Sequence, residues 1–337
     1  MDLASNLHIL YVVAGSIMAI VTLICNMATV VAFFKVSFLR QKPSNLLILN
    51  LSCADLGVGL ILVCNFPQVF VKPGVYGKYG CQLFNFLANL FVSSGMVTTV
   101  AISMDRFLLL SGDYPKYLRI QSKKRIMCII GGIWLYGILL GTSEVLLWDM
   151  LMPPGLHDYF DFSRDCRSPP KHNLVYALVL FVLGVFGPLL AIESFSIAFL
   201  VQLIRKFRKP MVHPSSDIMS SQNANLNSSR SAAGPIGSSS VPMAQGAAIP
   251  MAEADPNKRY KKAAILLGAI VLVVNICTLP YVLYALITIF CSQCNNVHLR
   301  DVLTYLIYLN SCINPFLYAA TMIRVRKFYK RVLFNSQ

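Results

Sequence analysis

The sequence FVSSGMVTTVAISMDRFLLL (91–110) places an acid and an arginine, Asp105 and Arg106, at the edge of a long apolar run. Charge is costly beside lipid, so this position requires an explanation. The run belongs to a series of apolar blocks, each with about the 20 residues that a helix needs to cross a bilayer. The blocks cover residues 9–34, 46–70, 83–104, 126–148, 173–204, 263–290 and 302–323. The sequence therefore predicts an all-α fold, a seven-transmembrane helix bundle.

The composition favours a membrane protein over a soluble one. The 337 residues are 56% hydrophobic and 13% charged, whereas a soluble domain carries about twice that share of charge. We expect one seven-helix membrane domain over 1–337, with helices at about 9–34, 44–70, 80–110, 124–148, 173–205, 259–290 and 299–323. Residues 210–256, rich in Ser, Ala, Gly and Pro, predict a disordered cytoplasmic loop. Residues 324–334 predict a short amphipathic helix on the inner leaflet.

The net charge of +15 is distributed unevenly along the chain. Basic clusters at 123–125, 205–209, 258–262 and 324–331 lie on one side of the predicted bundle, and the segments on the other side are mixed in charge. This bias predicts an extracellular N-terminus and a cytoplasmic C-terminus. We interpret the surplus as topology and attraction to the lipid bilayer, with no nucleic-acid partner. We expect no cleavable signal peptide and no ectodomain for a large ligand.

Several polar side chains fall at similar depths in different predicted helices. At 1.5 Å per residue, Asp55 lies about 18 Å from the inner edge, and the other members lie about 13 to 21 Å from it. Lone carboxylates are not tolerated in lipid, so we predict a midplane polar cluster around Asp55. Its members are Asn26, Asp55, Ser94, Asn310 and Asn314. A structural polar seam between packed helices is a compatible interpretation.

The third predicted helix is long enough to span the membrane. About 38 Å separate Cys81 from Arg106, so Asp105 and Arg106 reach the cytoplasmic interface. There, an arginine can pair with its neighbour or offer donors to a cytoplasmic partner. Pro280 and Pro315 interrupt two later helices and predict kinks.

These features form a series with one motif for nearly every helix. The motifs are CNMATV with Asn26, LNLSCADL with Asp55, MDRF with Asp105 and Arg106, CTLPY with Pro280, and NPFLY with Asn314, Pro315 and Tyr318, together with Cys81, Trp134, Cys166 and Pro188. In this order the chain resembles the class A (rhodopsin-like) G-protein-coupled receptors along nearly its whole length.

The resemblance implies a receptor in the plasma membrane that binds an agonist among its outer helix halves. Arg106 would meet a heterotrimeric G protein, Asp105 would restrain Arg106 in the inactive state, and arrestin is a possible second partner. No cofactor is expected. The implied coupling and switch residues are Asp105, Arg106, Phe107, Pro280, Asn314, Pro315 and Tyr318.

The chain departs from the family pattern at four positions. Phe107 replaces the usual tyrosine, and Thr278 replaces the tryptophan two residues before Pro280. Ser196 replaces the helix-five tyrosine that would partner Tyr318. In the family, Asp55 with Asn310 and Asn314 can hold sodium, but Gly95 replaces a serine usual in that site. The Gly95 departure therefore argues against sodium binding at Asp55, and no other metal site is predicted.

The outer side carries four cysteines and the expected ligand pocket. A Cys81–Cys166 disulfide would tie the loop 149–172 over the bundle, and Cys291 and Cys294 are either a small disulfide ring or two free thiols. Ala88 stands where amine receptors carry an aspartate, which argues against a monoamine ligand. We expect a small molecule, a lipid or a short peptide. The pocket residues, which could equally be packing residues, are Ala88, Asn89, Tyr281, Tyr284 and Tyr308.

The sequence also bears on an opsin, a transporter and an enzyme as rival functions. A retinal-binding opsin needs a lysine in helix seven, and residues 302–323 contain none. Glu193 is a second midplane acid that could serve an ion path in a transporter, but no further relay groups continue it. We favour a protonated carboxyl or a bond to a neighbouring helix. Enzyme activity is not expected. A constitutively active or non-signalling receptor-like modulator remains the alternative.

Overall fold

The computed structural model describes residues 3–70, 75–111, 117, 119, 121–151, 174–208 and 256–334. Helices dominate these ranges, and no strand occurs within them. They are α1 (Leu3–Lys35), α2 (Ser37–Gln41), α3 (Asn45–Phe70), α4 (Gly77–Ser111), α5 (Lys123–Leu151), α6 (Leu174–Phe181), α7 (Gly187–Arg208), α8 (Pro256–Phe290), α9 (Val297–Thr321) and α10 (Ile323–Phe334). A π-helical turn, Val182–Phe186, joins α6 to α7. A 3₁₀ turn, Ser292–Cys294, lies between α8 and α9.

Six helical segments are long and apolar enough to cross a membrane. They lie in α1, α3, α4, α5, the continuous α6–α7 segment and α8. The seventh candidate is α9 followed by α10, with a bend of 107° between them. Polar residues such as Thr304, Asn310 and Asn314 dilute the apolar character of α9. The predicted all-α bundle with seven crossings is confirmed by this architecture.

Several helices extend beyond the apolar stretches that predict them. α1 begins at Leu3 instead of residue 9, α4 at Gly77 instead of 80, and α8 at Pro256 instead of 259. The backbone hydrogen bonds of a helix continue into polar flanks that hydropathy does not mark. α9 ends earlier than expected, at Thr321, because the chain turns there into α10. Except for Pro256, the predicted loop 210–256 lies outside the described residues.

α4 occupies the centre of the bundle. It packs against α3, α5 and α7, and it buries hydroxyl side chains such as Ser94, Thr98 and Ser103. The outer faces of the bundle are apolar: Ile24 and Phe34 of α1 are 59% and 62% exposed. An apolar exterior with polar groups inside is the arrangement that a hydrocarbon solvent requires.

Glycines allow α4 to approach its neighbours closely. A Cβ atom on Gly57 of α3 would overlap the Phe91 ring, and one on Gly137 of α5 would lie 2.5 Å from the Ser94 hydroxyl. Helix–helix contacts in membranes use small residues in this way, since close backbone approach maximises packing. These contacts fix α4 against both α3 and α5.

A buried hydrogen-bond chain links α4, α3 and α5. Trp134 Nε1 donates to Asn50 Oδ1 at 2.9 Å, and Asn50 Nδ2 donates to Thr98 Oγ1 at 2.8 Å. Thr98 in turn donates to the Ser94 carbonyl at 2.6 Å. The Trp134 ring also packs edge-on against Phe91, with centroids 6.1 Å apart. Both polar groups of the Asn50 amide are therefore paired away from lipid.

We predict that Trp134→Phe destabilises the bundle by about 1–2 kcal/mol, because Asn50 Oδ1 loses its donor while an aromatic ring is retained. Thermal unfolding of the purified protein in detergent measures the loss. Asn50→Ala and the double variant complete a mutant cycle. The double variant should be no less stable than Asn50→Ala alone; fully additive losses would contradict the proposed bond.

Candidate functional site

Asp105 and Arg106 lie in the last turns of α4, at the end of the bundle where α1 ends and α3 begins. This end is called the basic end below. Asp105 is buried, and its side chain is only 6% exposed compared with 14% for that of Arg106. Arg106 Nη1 lies 3.6 Å from Asp105 Oδ2. Neighbouring residues on a helix do not face each other, so this contact is a loose ion pair between adjacent residues.

Two residues of the segment after α4 also bind the Asp105 carboxylate. Gln121 Nε2 donates to Asp105 Oδ1, and the Tyr117 hydroxyl donates to the same oxygen at 3.3 Å. Tyr117 and Gln121 are themselves buried. Asp105 thus receives neutral donors from the connection between α4 and α5 in addition to the guanidinium. Sequence reasoning missed both residues, since nothing in the pattern of YLRIQ (117–121) brings it back onto α4.

Phe107 packs against the neighbouring helix α7. Its ring centroid lies 6.0 Å from that of Phe195. A tyrosine hydroxyl is absent here, so the residue after Arg106 contributes an apolar contact between α4 and α7.

The midplane cluster forms around Asp55 as a link between α3 and α9. Asn314 Nδ2 donates to Asp55 Oδ2 at 2.9 Å, and both residues are buried. Asn26 of α1 donates to the Ser311 carbonyl of α9 at 3.1 Å and to the Thr22 carbonyl at 3.0 Å. Three helices therefore meet through polar contacts at this level of the bundle.

Ser94 requires a correction, because the structure does not bring it into this cluster. Its hydroxyl lies against Gly137 of α5 and has no hydrogen-bond partner among the described residues. The next residue, Gly95, is the one that faces Leu51 and Ala54 of α3. Successive residues are rotated by about 100° around a helix, so similar depth does not mean the same face.

The predicted cluster residues supply only part of the donor set of a sodium site. The amide oxygens of Asn26, Asn310 and Asn314 have no hydrogen-bond partner within the described part of the chain. Together with the Asp55 carboxylate they are hard oxygen donors of the kind that small cations prefer. The hydroxyl usual on α4 is absent, because Gly95 holds that position and Ser94 faces α5.

Three hydroxyl side chains, at positions where the family resemblance implies a switch contact, are buried. The Tyr318 hydroxyl is fully buried, and neither it nor the hydroxyls of Ser196 and Thr278 have a hydrogen-bond partner in the described ranges. Buried polar groups normally are paired, and an unpaired hydroxyl costs free energy. By contrast, Asn275 of α8 donates to Glu193 Oε1 of α7 at 2.6 Å. Glu193 is thus bonded to a neighbouring helix, the interpretation favoured from sequence.

Pro280 and Pro315 both lie within continuous helices, α8 and α9. Each removes one backbone donor from its helix and so marks a position of easier bending. A further irregular backbone segment, the π-helical turn after α6, is supported by Tyr136, whose hydroxyl donates to the Leu183 carbonyl at 2.5 Å.

Among the residues of the expected ligand pocket, Tyr284 makes hydrogen bonds to the chain after α8. Tyr284 is engaged by the chain after α8: its hydroxyl contacts Asn295 Oδ1 at 2.8 Å and the Asn296 carbonyl at 2.9 Å. Tyr284 therefore anchors the connection between α8 and α9. The other predicted members, Ala88, Asn89, Tyr281 and Tyr308, are partly buried.

Disulfide bonds occur at the end of the bundle opposite the basic end. Cys291 and Cys294 form a disulfide between α8 and α9. Asn296 then caps α9 by accepting from the Leu299 amide at 3.1 Å. Cys81, in the first turns of α4, is disulfide-bonded, and its predicted partner Cys166 lies outside the described residues.

Comparison with known proteins places this geometry in a family. The family model described as 7 transmembrane receptor (rhodopsin family) matches residues 25–318. Melanopsin of Mus musculus is 30% identical over 190 residues, which cover 54% of this chain and 34% of that protein. Melanopsin-B of Gadus morhua is 28% identical over 187 residues, covering 54% and 29%.

Human melanopsin shows a similar level of likeness, with 28% identity over 176 residues that cover 50% of this chain and 34% of the relative. The chain thus spans about a third of the length of these curated relatives. The family match, in contrast, covers both the Asp55 and the Asp105–Arg106 regions. The chain belongs to the rhodopsin family of seven-transmembrane receptors, the class A G-protein-coupled receptors, and is a multi-pass membrane protein.

Proposed function

We propose that this protein carries an extracellular signal across the plasma membrane to a heterotrimeric G protein. In this proposal the N-terminus is extracellular and the basic end of the bundle faces the cytoplasm, as the positive-inside bias favours. The observation that supports coupling most directly is the buried Asp105 carboxylate, which binds Gln121, Tyr117 and Arg106 at the basic end of α4.

The contacts of Asp105 suggest how coupling is controlled. A carboxylate that accepts several hydrogen bonds holds its neighbours in place, and charge-assisted bonds are stronger than neutral ones. As long as Asp105 is bonded to the segment after α4, Arg106 stays beside it. Loss of those bonds would free the guanidinium donors for carbonyl or carboxylate groups of a cytoplasmic partner. Arrestin is a second possible partner at this surface.

The ligand is proposed to be a small molecule, a lipid or a short peptide. The relatives are named melanopsins, but α9 contains no lysine. A retinal Schiff base at the usual helix is therefore not proposed. Asn89 Nδ2 donates to the Asn85 carbonyl at 3.0 Å. Tyr308 packs edge-on against Tyr305, with ring centroids 6.4 Å apart.

A second candidate is a receptor-like protein that signals constitutively or acts as a non-signalling modulator. The unpartnered hydroxyls of Tyr318, Ser196 and Thr278 favour it. These residues lie at family switch positions, and unpaired hydroxyls there do not bias the bundle towards a single state through specific bonds. The two candidates differ in whether a ligand is required for G-protein activation.

The decisive experiment is expression in cells with G-protein dissociation sensors for each G-protein class. We expect a signal with at least one class, either without ligand or in a broad ligand screen. Arg106→Ala should abolish it, because the guanidinium donors are lost, while Arg125→Ala, an exposed arginine at the same end, should retain it. Absence of coupling to every class, with normal surface expression, would refute the signalling proposal.

We also predict that Gln121→Ala raises ligand-independent signalling. A hydrogen bond to a charged group contributes about 1.5–3 kcal/mol, so its loss can shift the inactive–active equilibrium about tenfold. Basal sensor signal, normalised to surface expression, measures the effect. Gln41→Ala, at an exposed glutamine of α2, is the matched control. An unchanged or reduced basal signal would mean that Gln121 does not restrain the switch.

Ser196→Tyr tests whether the missing partner of Tyr318 limits output. If a phenol on α7 reaches Tyr318, it can stabilise the active arrangement by about 1 kcal/mol, and signal should rise about fivefold. Ser194→Tyr, which places the same side chain at an exposed position of α7, should have no such effect. Equal responses from the two variants would show that the Ser196 departure does not control signalling.

A further inference from the structure

A hydrogen bond between Glu193 and Asn275 joins α7 to α8 within their membrane-spanning segments. Asn275 Nδ2 donates to Glu193 Oε1 at 2.6 Å. This contact is called the α7–α8 bond below. Both side chains are partly buried. A carboxyl group and an amide are costly at such positions unless they are paired, so the bond between the two helices lowers that cost for both groups.

The Asn275 amide is oriented by its own helix. The same Nδ2 atom also donates to the Val271 carbonyl, one turn earlier on α8, at 2.9 Å. An amide nitrogen carries two donor hydrogens, so one can serve Val271 while the other reaches Glu193. The side chain is thus held in one orientation on α8, and little rotamer freedom is lost when the α7–α8 bond forms.

Neighbouring polar groups on the two helices do not reinforce this bond. Ser196 of α7 and Thr278 of α8 each lie three residues beyond a member of the bond. Both hydroxyls are buried and have no hydrogen-bond partner among the described residues. The buried Oε1 atom of Gln202, further along α7, is likewise unpaired within that part of the chain. Loss of the α7–α8 bond is therefore not compensated by these three oxygens.

The two helices differ in how they are packed against the rest of the bundle. Among the described residues, α7 packs extensively against α4, and the contact between the Phe107 and Phe195 rings belongs to that interface. α8 packs mainly against α9 and much less against α7. Transmembrane helices associate through packing and interhelical hydrogen bonds. Because packing between α7 and α8 is sparse, the α7–α8 bond contributes a large share of their association.

The α7–α8 bond lies close to Pro280, a position of easier bending in α8. Asn275 is five residues from Pro280, about 7.5 Å along the helix axis, and Ile265, nearer the basic end, is fifteen residues away, about 22 Å. A tilt about Pro280 that moves Ile265 by about 3 Å therefore moves Asn275 by about 1 Å. Such a displacement stretches the bond from 2.6 Å to about 3.6 Å, beyond hydrogen-bond range.

We propose that Glu193 and Asn275 are positioning residues that hold α8 against α7 and release it when the bundle opens at its basic end. A small tilt of α8 is enough to break their bond, so the closed arrangement has the bond and the open one lacks it. The consequence for signalling rests on the function proposed above, because opening would widen the basic end, where Arg106 lies. The movement of α8 itself can be measured without a G protein.

Spin labels report the distance between α7 and α8 directly. Ile204→Cys on α7 and Ile265→Cys on α8 place the labels at side chains that are 52% and 55% exposed. Cys64→Ser and Cys128→Ser remove the exposed free thiols of the described residues. Double electron–electron resonance on the purified full chain in lipid nanodiscs then gives the populations of shorter and longer distances.

We expect Asn275→Val and Glu193→Leu each to raise the ratio of longer to shorter distances about threefold to tenfold, the range for one interhelical hydrogen bond in a membrane. The double variant should open no further than either single variant, because both remove the same bond. Glu193→Gln should keep the shorter distance, since its amide oxygen can accept from Asn275. Ser194→Ala is the matched control, because the Ser194 hydroxyl donates within α7, to the Leu190 carbonyl.

Unchanged distances in both Asn275→Val and Glu193→Leu would overturn the proposal, even if their thermal midpoints fell, because the bond would then stabilise the fold without positioning α8. Equal opening by Glu193→Gln and Glu193→Leu would also overturn it, since the acceptor oxygen would then be irrelevant.

G-protein sensors separate this positioning role from the proposed function. Longer distances in the variants without coupling to any G-protein class would refute the signalling function and support the positioning role. Higher basal signal in the same variants with unchanged distances would support signalling and overturn the positioning role.

Discussion

Hydrocarbon offers no hydrogen-bond partner, and the rest of this structure depends on that constraint. Every backbone amide in the membrane must be paired within a helix. A polar side chain there costs free energy unless it finds a partner inside the bundle. At the centre of the bundle, Asn50 of α3 accepts a hydrogen bond from Trp134 of α5 and donates one to Thr98 of α4. The apolar side chains that a soluble protein would bury lie on the outside instead.

The same constraint separates two groups of buried polar side chains. At the basic end Asp105 is bonded by Gln121 and Tyr117, so a buried charge is compensated. Deeper in the bundle, Tyr318 and Ser196 carry buried hydroxyls with no partner among the described residues. A bonded site has a defined geometry, whereas an unpaired buried hydroxyl costs free energy and fixes no contact. The basic end thus has a better specified hydrogen-bond geometry than the region around Tyr318 and Ser196.

Prediction from sequence worked for long apolar runs and for carboxylate and amide side chains inside them, because few structures accommodate either. Long apolar runs predict spans, and Asp55 and Asn314, which belong to separate motifs, are joined directly in the structure. Prediction of Ser94 from depth was wrong, because depth ignores rotation about the helix axis and Ser94 faces Gly137. Gln121 could not be found, since only the course of the chain after α4 brings it back to Asp105.

The sequence by itself determined the membrane-spanning helices and the family motifs, because each follows from local composition and spacing. It also determined the concentration of cations on one side of the bundle. Tertiary structure alone decided which polar atoms are paired. Hydrogen bonds require donor and acceptor within about 3 Å, and helix rotation, glycine contacts and the bend before α10 set those distances. The contact between α1 and α10 exists for the same reason: Thr29 and Tyr329, about 300 residues apart, meet only after the chain has folded.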